Sequence, residues 1–445
     1  MPARIASAPA QLISAAQAAG FVRSGMWLDY GITLCQPDVF DKALAARRES
    51  LENVKIRAGL TLKPRAVLEE DPEGKHFLWF NWHFSAYDRR KHDAGRCNYI
   101  PLHLGEVPDY YRRFIEPVDI VILKTCPMDE HGYFNLSASN VWHRAIIERA
   151  RMVIIEVTEG LPYVHGEQTG IHFSEVDYII RGDDEPATEL PNPLPCEIDR
   201  AVARQIAAEV EDGSCLQIGI GGMPNAVCTL LLESGVRDLG VHTEMLIDGL
   251  VDLYKAGRIT GSRKTLDAGK IVYTFALGSR DLYATIHRNQ DFHCCPVDYT
   301  NAPHIIMQNE RMISINNTTQ IDLQGQAASE SDGHRHISGT GGQAQFVRGA
   351  YASPGGKSFI CLASTYAKRG ERRSRIVLDL TPGNIVTTSR SDAMYIVTEY
   401  GMVNLKGKSV AERAHALIRL AHPDFREGLE RQAHEHRLIP RGVTF

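Results

Sequence analysis

Two short runs rich in β-branched residues, Val118-Asp-Ile-Val-Ile-Leu123 and Val153-Ile-Ile-Glu-Val157, enclose a stretch, 139–151, with apolar residues at helical spacing. Runs this short and this rich in Val and Ile fit strands buried on both faces. Strand, helix and second buried strand make a β-α-β unit, whose crossover demands a parallel pair. The same style returns further on. Leu216-Gln-Ile-Gly-Ile220, Val272-Tyr-Thr-Phe275, Met312-Ile-Ser-Ile315, Ser358-Phe-Ile-Cys-Leu362, Arg375-Ile-Val-Leu378 and Tyr395-Ile-Val-Thr398 are the expected strands there. The fold class expected is α/β with largely parallel sheets. Between the halves, 181–196 carries four prolines among acidic and glycine residues, too little apolar surface for anything but an exposed linker. An amphipathic helix is expected over 197–212, with Ile198, Val202, Ile206, Ala207 and Val210 on one face. One or two surface helices are expected over 409–429, interrupted near Pro423. The 445 residues would fill two or three domains at roughly 150 each. The linker narrows that to two α/β domains, 1–185 and 197–445.

Charge and cysteine usage then bound the partners. Lys plus Arg is 49 against Asp plus Glu 54, a net charge of -5, so small-molecule partners are expected rather than nucleic acid. The nine cysteines are scattered without a CxxC pair, which reads as reduced thiols in a cytoplasmic protein and no metal site. Residues 1–20 lack the basic start and apolar run of a signal peptide, and no stretch approaches the roughly 20 apolar residues of a membrane span.

Three places carry chemistry. Gln217-Ile-Gly219-Ile220-Gly221-Gly222-Met223 is a strand, a glycine turn and a helix start, where backbone N–H groups can meet an anion or an oxyanion. It has neither the Gly-Lys-Ser/Thr of a P-loop nor the full dinucleotide fingerprint, so a plain strand-to-helix turn is an equal reading. A second glycine loop, Gly339-Thr-Gly341-Gly342, precedes Phe346-Val-Arg348. Facing one cleft, the two loops would supply donors to a single centre; as unrelated turns they would do nothing. Third, Leu239-Gly-Val-His242-Thr-Glu244-Met ends a strand-like run on a carboxylate that must be solvated, paired or used. Asp248 and Asp252 follow it at helical spacing. The 18 histidines show no ligand spacing and read as surface or hydrogen-bonded core residues. No Gly-x-Ser-x-Gly elbow occurs. The cluster Glu371-Arg-Arg-Ser-Arg375 reads as a solvated basic turn or, with Lys368, as a contact for a phosphate-bearing ligand.

In their order these motifs resemble the class I CoA-transferases. The branch is the acetyl-CoA hydrolase/transferase group with butyryl-CoA:acetate and 4-hydroxybutyrate CoA-transferases, and a minority branch of itaconate or succinate CoA-transferases. The resemblance rests on Pro127-Met-Asp-Glu-His131-Gly-Tyr-Phe, Val176-Asp-Tyr-Ile-Ile, 216–227, 239–249, Pro296-Val-Asp-Tyr-Thr-Asn301, 313–325, 337–348, and Val397-Thr-Glu-Tyr-Gly401 through Ala421-His-Pro-Asp-Phe-Arg426. It implies two related open α/β domains with the active site in the cleft between them. It implies Glu244 as the catalytic carboxylate, with Gln217 beside it as a side-chain donor. Coenzyme A contacts fall on Gly219, Ile220, Gly221, Gly222, Met223, Thr319, Gly341, Gly342 and Lys368, the lysine with a small difference in local spacing. Some relatives carry their nucleophile in the block that here reads Asn316-Asn-Thr-Thr-Gln320. Gln320 is an amide and cannot attack, which strengthens Glu244.

The implied chemistry is ping-pong transfer through an acyl-glutamyl anhydride and a glutamyl-CoA thioester, with acyl-CoA as substrate and no permanently bound cofactor or metal. Donors from the glycine loops would stabilise the oxyanions. The acid is not written in the motifs. Trp27, Tyr30, Gly31, Trp79, Trp82 and His83 either line an acyl pocket or belong to the core, and a dicarboxylate would need a cation from among Arg23, Arg47, Arg89 and Arg90. A homodimer or larger homo-oligomer stays open. Two rivals remain: an acyl-CoA hydrolase using the same glutamate, and a catalytically silent coenzyme A-binding regulator.

Overall fold

The computed structural model describes residue 6 and residues 9–440, so the first part of the N-terminal segment lies outside the described residues. The chain divides into two compact units, Met1–Leu190 with Val272–Thr300, and Pro191–Ile271 with Asn301–Phe445. Residues 272–300 therefore group with the first unit, whereas a division at one linker assigns them to the second. A chain that returns to an earlier unit leaves no proline-rich mark at its crossing points.

The first unit is built on an eight-stranded sheet. In spatial order its strands are Gln11–Leu12, Tyr178–Arg181, Met152–Val157, Ile120–Thr125, Trp27–Ile32, Val54–Gly59, Phe77–Asn81 and Asn98–Tyr99. Every neighbouring pair is parallel. All six residues of Ile120–Thr125 are buried, as a central parallel strand requires. Between it and Met152–Val157 the expected helix is shorter, His143–Arg149. On one face Leu28, Tyr30, Ile56, Phe77 and Trp79 pack with Phe40 and Leu44 of the helix Val39–Ala45. Tyr30 and Trp79 are thus core, edge-to-face at 5.8 Å. Trp82 is also buried, 5.9 Å from the Tyr111 ring. Gly31, at φ +66°, cannot carry a Cβ, which would lie 2.4 Å from His143 Nε2. Arg23 and Arg47 donate to the Gly20 and Ala19 carbonyls, closing the end of the helix Ala15–Ala19.

The second unit carries, in spatial order, Gly401–Asn404, Tyr395–Thr398, Lys357–Cys361, Met312–Asn317, Cys215–Ile218 and Gly240–Leu246. These are parallel except for the edge hairpin of the first two. The strand expected at 375–378 shrinks to Ile376–Val377, which pairs with Gln320–Asp322 in a small separate sheet. The helix after the linker runs Glu197–Ala207 and buries Val202 and Ile206. Near Pro423 one helix, Val410–Leu420, stops and another, Pro423–Glu435, begins. Pro423 sits in the first turn, where no N–H partner is required, and His422 caps the Asp424 N–H. Ile321, Ile360, Ile396 and Leu417 centre the core of this unit, each contributing about 1.5–3 kcal/mol on burial.

The segment 182–196 has no regular element, yet its backbone is tied down. The Ala187 N–H bonds the Gly160 carbonyl, the Leu190 N–H bonds the Gly278 carbonyl, and Asn225 donates to the Pro193 carbonyl. Among the described residues no helix is long and apolar enough to cross a membrane, and no cluster of three or more His, Cys, Asp or Glu is placed to hold a metal ion.

Candidate active site

Parallel strands all end on one side of their sheet, and loops that follow them gather there. In the second unit Cys215 pairs with Gly240 and with Met312, so counting four residues on brings Gly219, Glu244 and Asn316 to one level at that edge. The register thus brings the first glycine loop and the conspicuous glutamate together.

Glu244 lies near the end of Gly240–Leu246, where both neighbours are buried and its own side chain keeps partial access to solvent. Asn301 Nδ2 donates to Oε2 at 2.5 Å, and the Gly342 N–H donates to the same carboxyl. Burial pushes the Glu244 carboxyl up to about 7, against the pull of these two donors. A carboxyl in this setting is about half ionised at pH 7 and more so above it, and its ionised form is poorly hydrated and fixed in direction. Those are the properties of a nucleophile.

Gly342 is the N-cap of the helix Gln343–Ala352, whose positive end therefore faces the carboxyl. A Cβ on Gly342 would stand 2.3 Å from Glu244 Oε2 and 2.4 Å from Asn301 Nδ2, so only glycine lets this backbone approach. Gly341 precedes it at φ +57°. In the first loop Gly221 caps the twelve-residue helix Gly222–Glu233 with φ +124°, a conformation that side chains rarely adopt. Ile220 is exposed and Met223 buried.

The remaining expected residues stand differently. Gln217 is buried beside the loop, where Oε1 accepts from Ser314 Oγ at 2.8 Å and Asn316 Nδ2 at 3.0 Å, while Nε2 faces Asn316 Oδ1 at 3.4 Å with one of its two N–H groups. Thr319 and Lys368 meet around the short strand Ser331–Asp332. The Thr319 hydroxyl donates to the Ala328 carbonyl at 2.7 Å and lies 3.2 Å from that of Ser331, and Lys368 Nζ is 3.4 Å from Asp332 on the exposed hairpin. Gln320 is structural; Oε1 accepts from the Thr381 N–H and Asn384 Nδ2. Sequence reasoning gave Asn301 no role. Its only signal was a place at the end of a motif, because its partner lies 57 residues away.

Comparison with known proteins gives the family. The acetyl-CoA hydrolase/transferase N-terminal domain matches residues 6–191 and its C-terminal domain matches 278–433. The chain belongs to the acetyl-CoA hydrolase/transferase family. It is 45% identical over 426 residues to the butyryl-CoA:acetate CoA-transferase of Anaerostipes caccae, covering 95% of this chain and 96% of that protein. It is likewise 45% identical over 424 residues to the succinyl-CoA:cyclohexane-1-carboxylate CoA transferase of Geobacter metallireducens, 95% of each chain. The crystal structure of RipA from Yersinia pestis superposes with a TM-score of 0.87 at 39% identity, over 96% of this chain and 98% of that one.

Proposed function

We propose that this protein is an acyl-CoA:carboxylate CoA-transferase with Glu244 as its nucleophile. The observation that carries the reading is one carboxyl, desolvated yet reachable, oriented by the Asn301 amide and the Gly342 N–H.

The steps follow from that geometry. The ionised carboxylate attacks the acyl-CoA carbonyl, the carbon–sulfur bond breaks, and coenzyme A leaves as thiolate. The product is a mixed anhydride between the acyl group and Glu244. The thiolate then attacks the glutamyl carbon, expels the first acid as carboxylate and leaves a glutamyl-CoA thioester. An acceptor carboxylate reverses the sequence and departs as the new acyl-CoA, restoring the Glu244 carboxylate. No electrons are exchanged with a cofactor, and thioester energy is conserved throughout. The two donors at the carboxyl have a second duty. When the glutamyl carbon is attacked, negative charge develops on its oxygen, and donors already in place at the carboxyl need no reorganisation. The loop from Gly219 to Met223 lies at the level of the nucleophile and is positioned to hold the thioester end of coenzyme A.

The acid belongs to the short carboxylates. The relatives named above act on butyryl-CoA with acetate and on succinyl-CoA with a cyclohexane carboxylate. The burial of Tyr30, Trp79 and Trp82 supports the reading of these rings as core. A panel of acyl-CoA donors and acceptor acids, including acetate, butyrate, 4-hydroxybutyrate and itaconate, measures the preference. Thiol release that requires no acceptor acid would instead mark an acyl-CoA hydrolase.

A further inference from the structure

The basic hairpin singled out in the sequence resolves into unlike members. Lys368 lies 3.4 Å from Asp332, Arg372 3.2 Å from Asp424 and Arg373 3.2 Å from Glu371, all on exposed surface. Arg375 differs from them. It is half-buried, its guanidinium stands 5.0 Å over the Tyr366 ring, and Nη1 donates to the Thr319 carbonyl at 2.9 Å. Nε is buried without a hydrogen-bond partner. These contacts hold the guanidinium plane, and Asp332, which also pairs with Lys368, acts on its charge from a distance.

Among the described residues Arg375 is also the one cation lining a cleft of about 170 Å³. Ile198, Val202 and Met223 give that cleft an apolar wall, and Gly222 opens the twelve-residue helix beside it. Asp199 lines it too, with its carboxylate accepting the Cys196 N–H at 2.9 Å. An arginine with an unspent N–H, partly withdrawn from water, favours an oxyanion with several acceptor oxygens. The helix start at the same cleft already faces a carboxylate, since a Cβ on Gly222 would stand 2.6 Å from Asp199 Oδ2, so the preference for an anion rests on Arg375. The shape asks for a ligand whose slender, partly apolar arm adjoins an anionic group.

We propose that Arg375 is the cationic contact for the diphosphate of coenzyme A, with the pantetheine arm running along the apolar wall toward the first glycine loop. This rests on the reading of the protein as one that binds coenzyme A. Lys368 then stays on the solvent face of the hairpin, and Thr319 acts through its carbonyl by fixing the arginine.

Full-length wild type and Arg375→Gln are titrated calorimetrically with coenzyme A, 3′-dephospho-coenzyme A and pantetheine. The expected result is an affinity loss of about tenfold or more for both diphosphate-bearing ligands, with pantetheine affinity unchanged. KM for acyl-CoA should rise in step while kcat holds. An unchanged affinity for coenzyme A would overturn the proposal. So would an equal loss for pantetheine, which means general damage to the cleft, or a loss absent with 3′-dephospho-coenzyme A, which moves the contact to the 3′-phosphate. Should Arg375→Gln fail to fold, Arg375→Lys keeps the charge, loses the fork, and must give the same ranking with a smaller effect. A wild type that binds coenzyme A without transferring it leaves the contact standing and removes the transferase reading.

Discussion

At the scale of residues, the two oxygens of Glu244 are unlike. Asn301 donates to Oε2, and on the proposed mechanism Oε1 makes the attack. With the carboxyl raised to about 7, kcat/KM should fall about tenfold per pH unit below that value and level off above it. Asn301→Ala removes a donor to the charged form, so the limb should move to higher pH and kcat should drop about 100-fold. A pH profile of both proteins checks the two effects together. The same burial makes Glu244 costly to the fold. Its carboxyl binds a proton between about 4.5 and 7 in the native state, where the unfolded chain does not, so stability falls as pH rises through that window. Glu244→Gln should therefore be more stable than wild type by up to about 3 kcal/mol at pH 8 and by almost nothing at pH 4, as read by urea unfolding.

At the scale of elements, glycines in one loop carry different burdens. A Cβ on Gly219 would meet nothing closer than the Ile315 carbonyl at 3.5 Å, whereas Gly221 holds φ +124°. Gly219→Ala should leave stability nearly unchanged, and Gly221→Ala should cost about 1–3 kcal/mol through strained backbone at the helix cap. Thermal unfolding of the two variants separates them. Elements of this kind were legible wherever local pattern decides structure. The strand Tyr395–Thr398 and the helix Glu197–Ala207 announce themselves by β-branched content and by apolar spacing. The run at 375–378 misled because Ile376 alone is buried there, so β-branched content outran the packing available to it. Glu244 and the Gly341–Gly342 pair were legible as motifs. Asn301 was not, since a contact spanning 57 residues is a product of the fold. The partners of the Gln217 amide were equally hidden, because Ser314 and Asn316 arrive on a neighbouring strand.

At the scale of the whole molecule, a net charge of -5 conceals a basic hairpin at 365–375. Exposed cations there act on a polyanionic substrate over roughly 8–10 Å at ordinary salt. KM for acyl-CoA should therefore rise with ionic strength more steeply than KM for the acceptor acid, in initial-rate series at about 20 and about 300 mM salt, where the screening length falls from roughly 20 to roughly 6 Å. The family match covers most of the chain, and both units carry parallel sheets of the kind that collect function at one edge. The claim on which all else depends is that the transferred coenzyme A passes through a covalent bond to Glu244. Protein incubated with butyryl-CoA in the absence of acceptor acid, quenched in acid and digested, should yield a Glu244 peptide heavier by coenzyme A less one water. The adduct should vanish when an acceptor carboxylate is added and never form in Glu244→Gln. Transfer at the wild-type rate by Glu244→Gln, or an adduct on any other residue, would contradict the account.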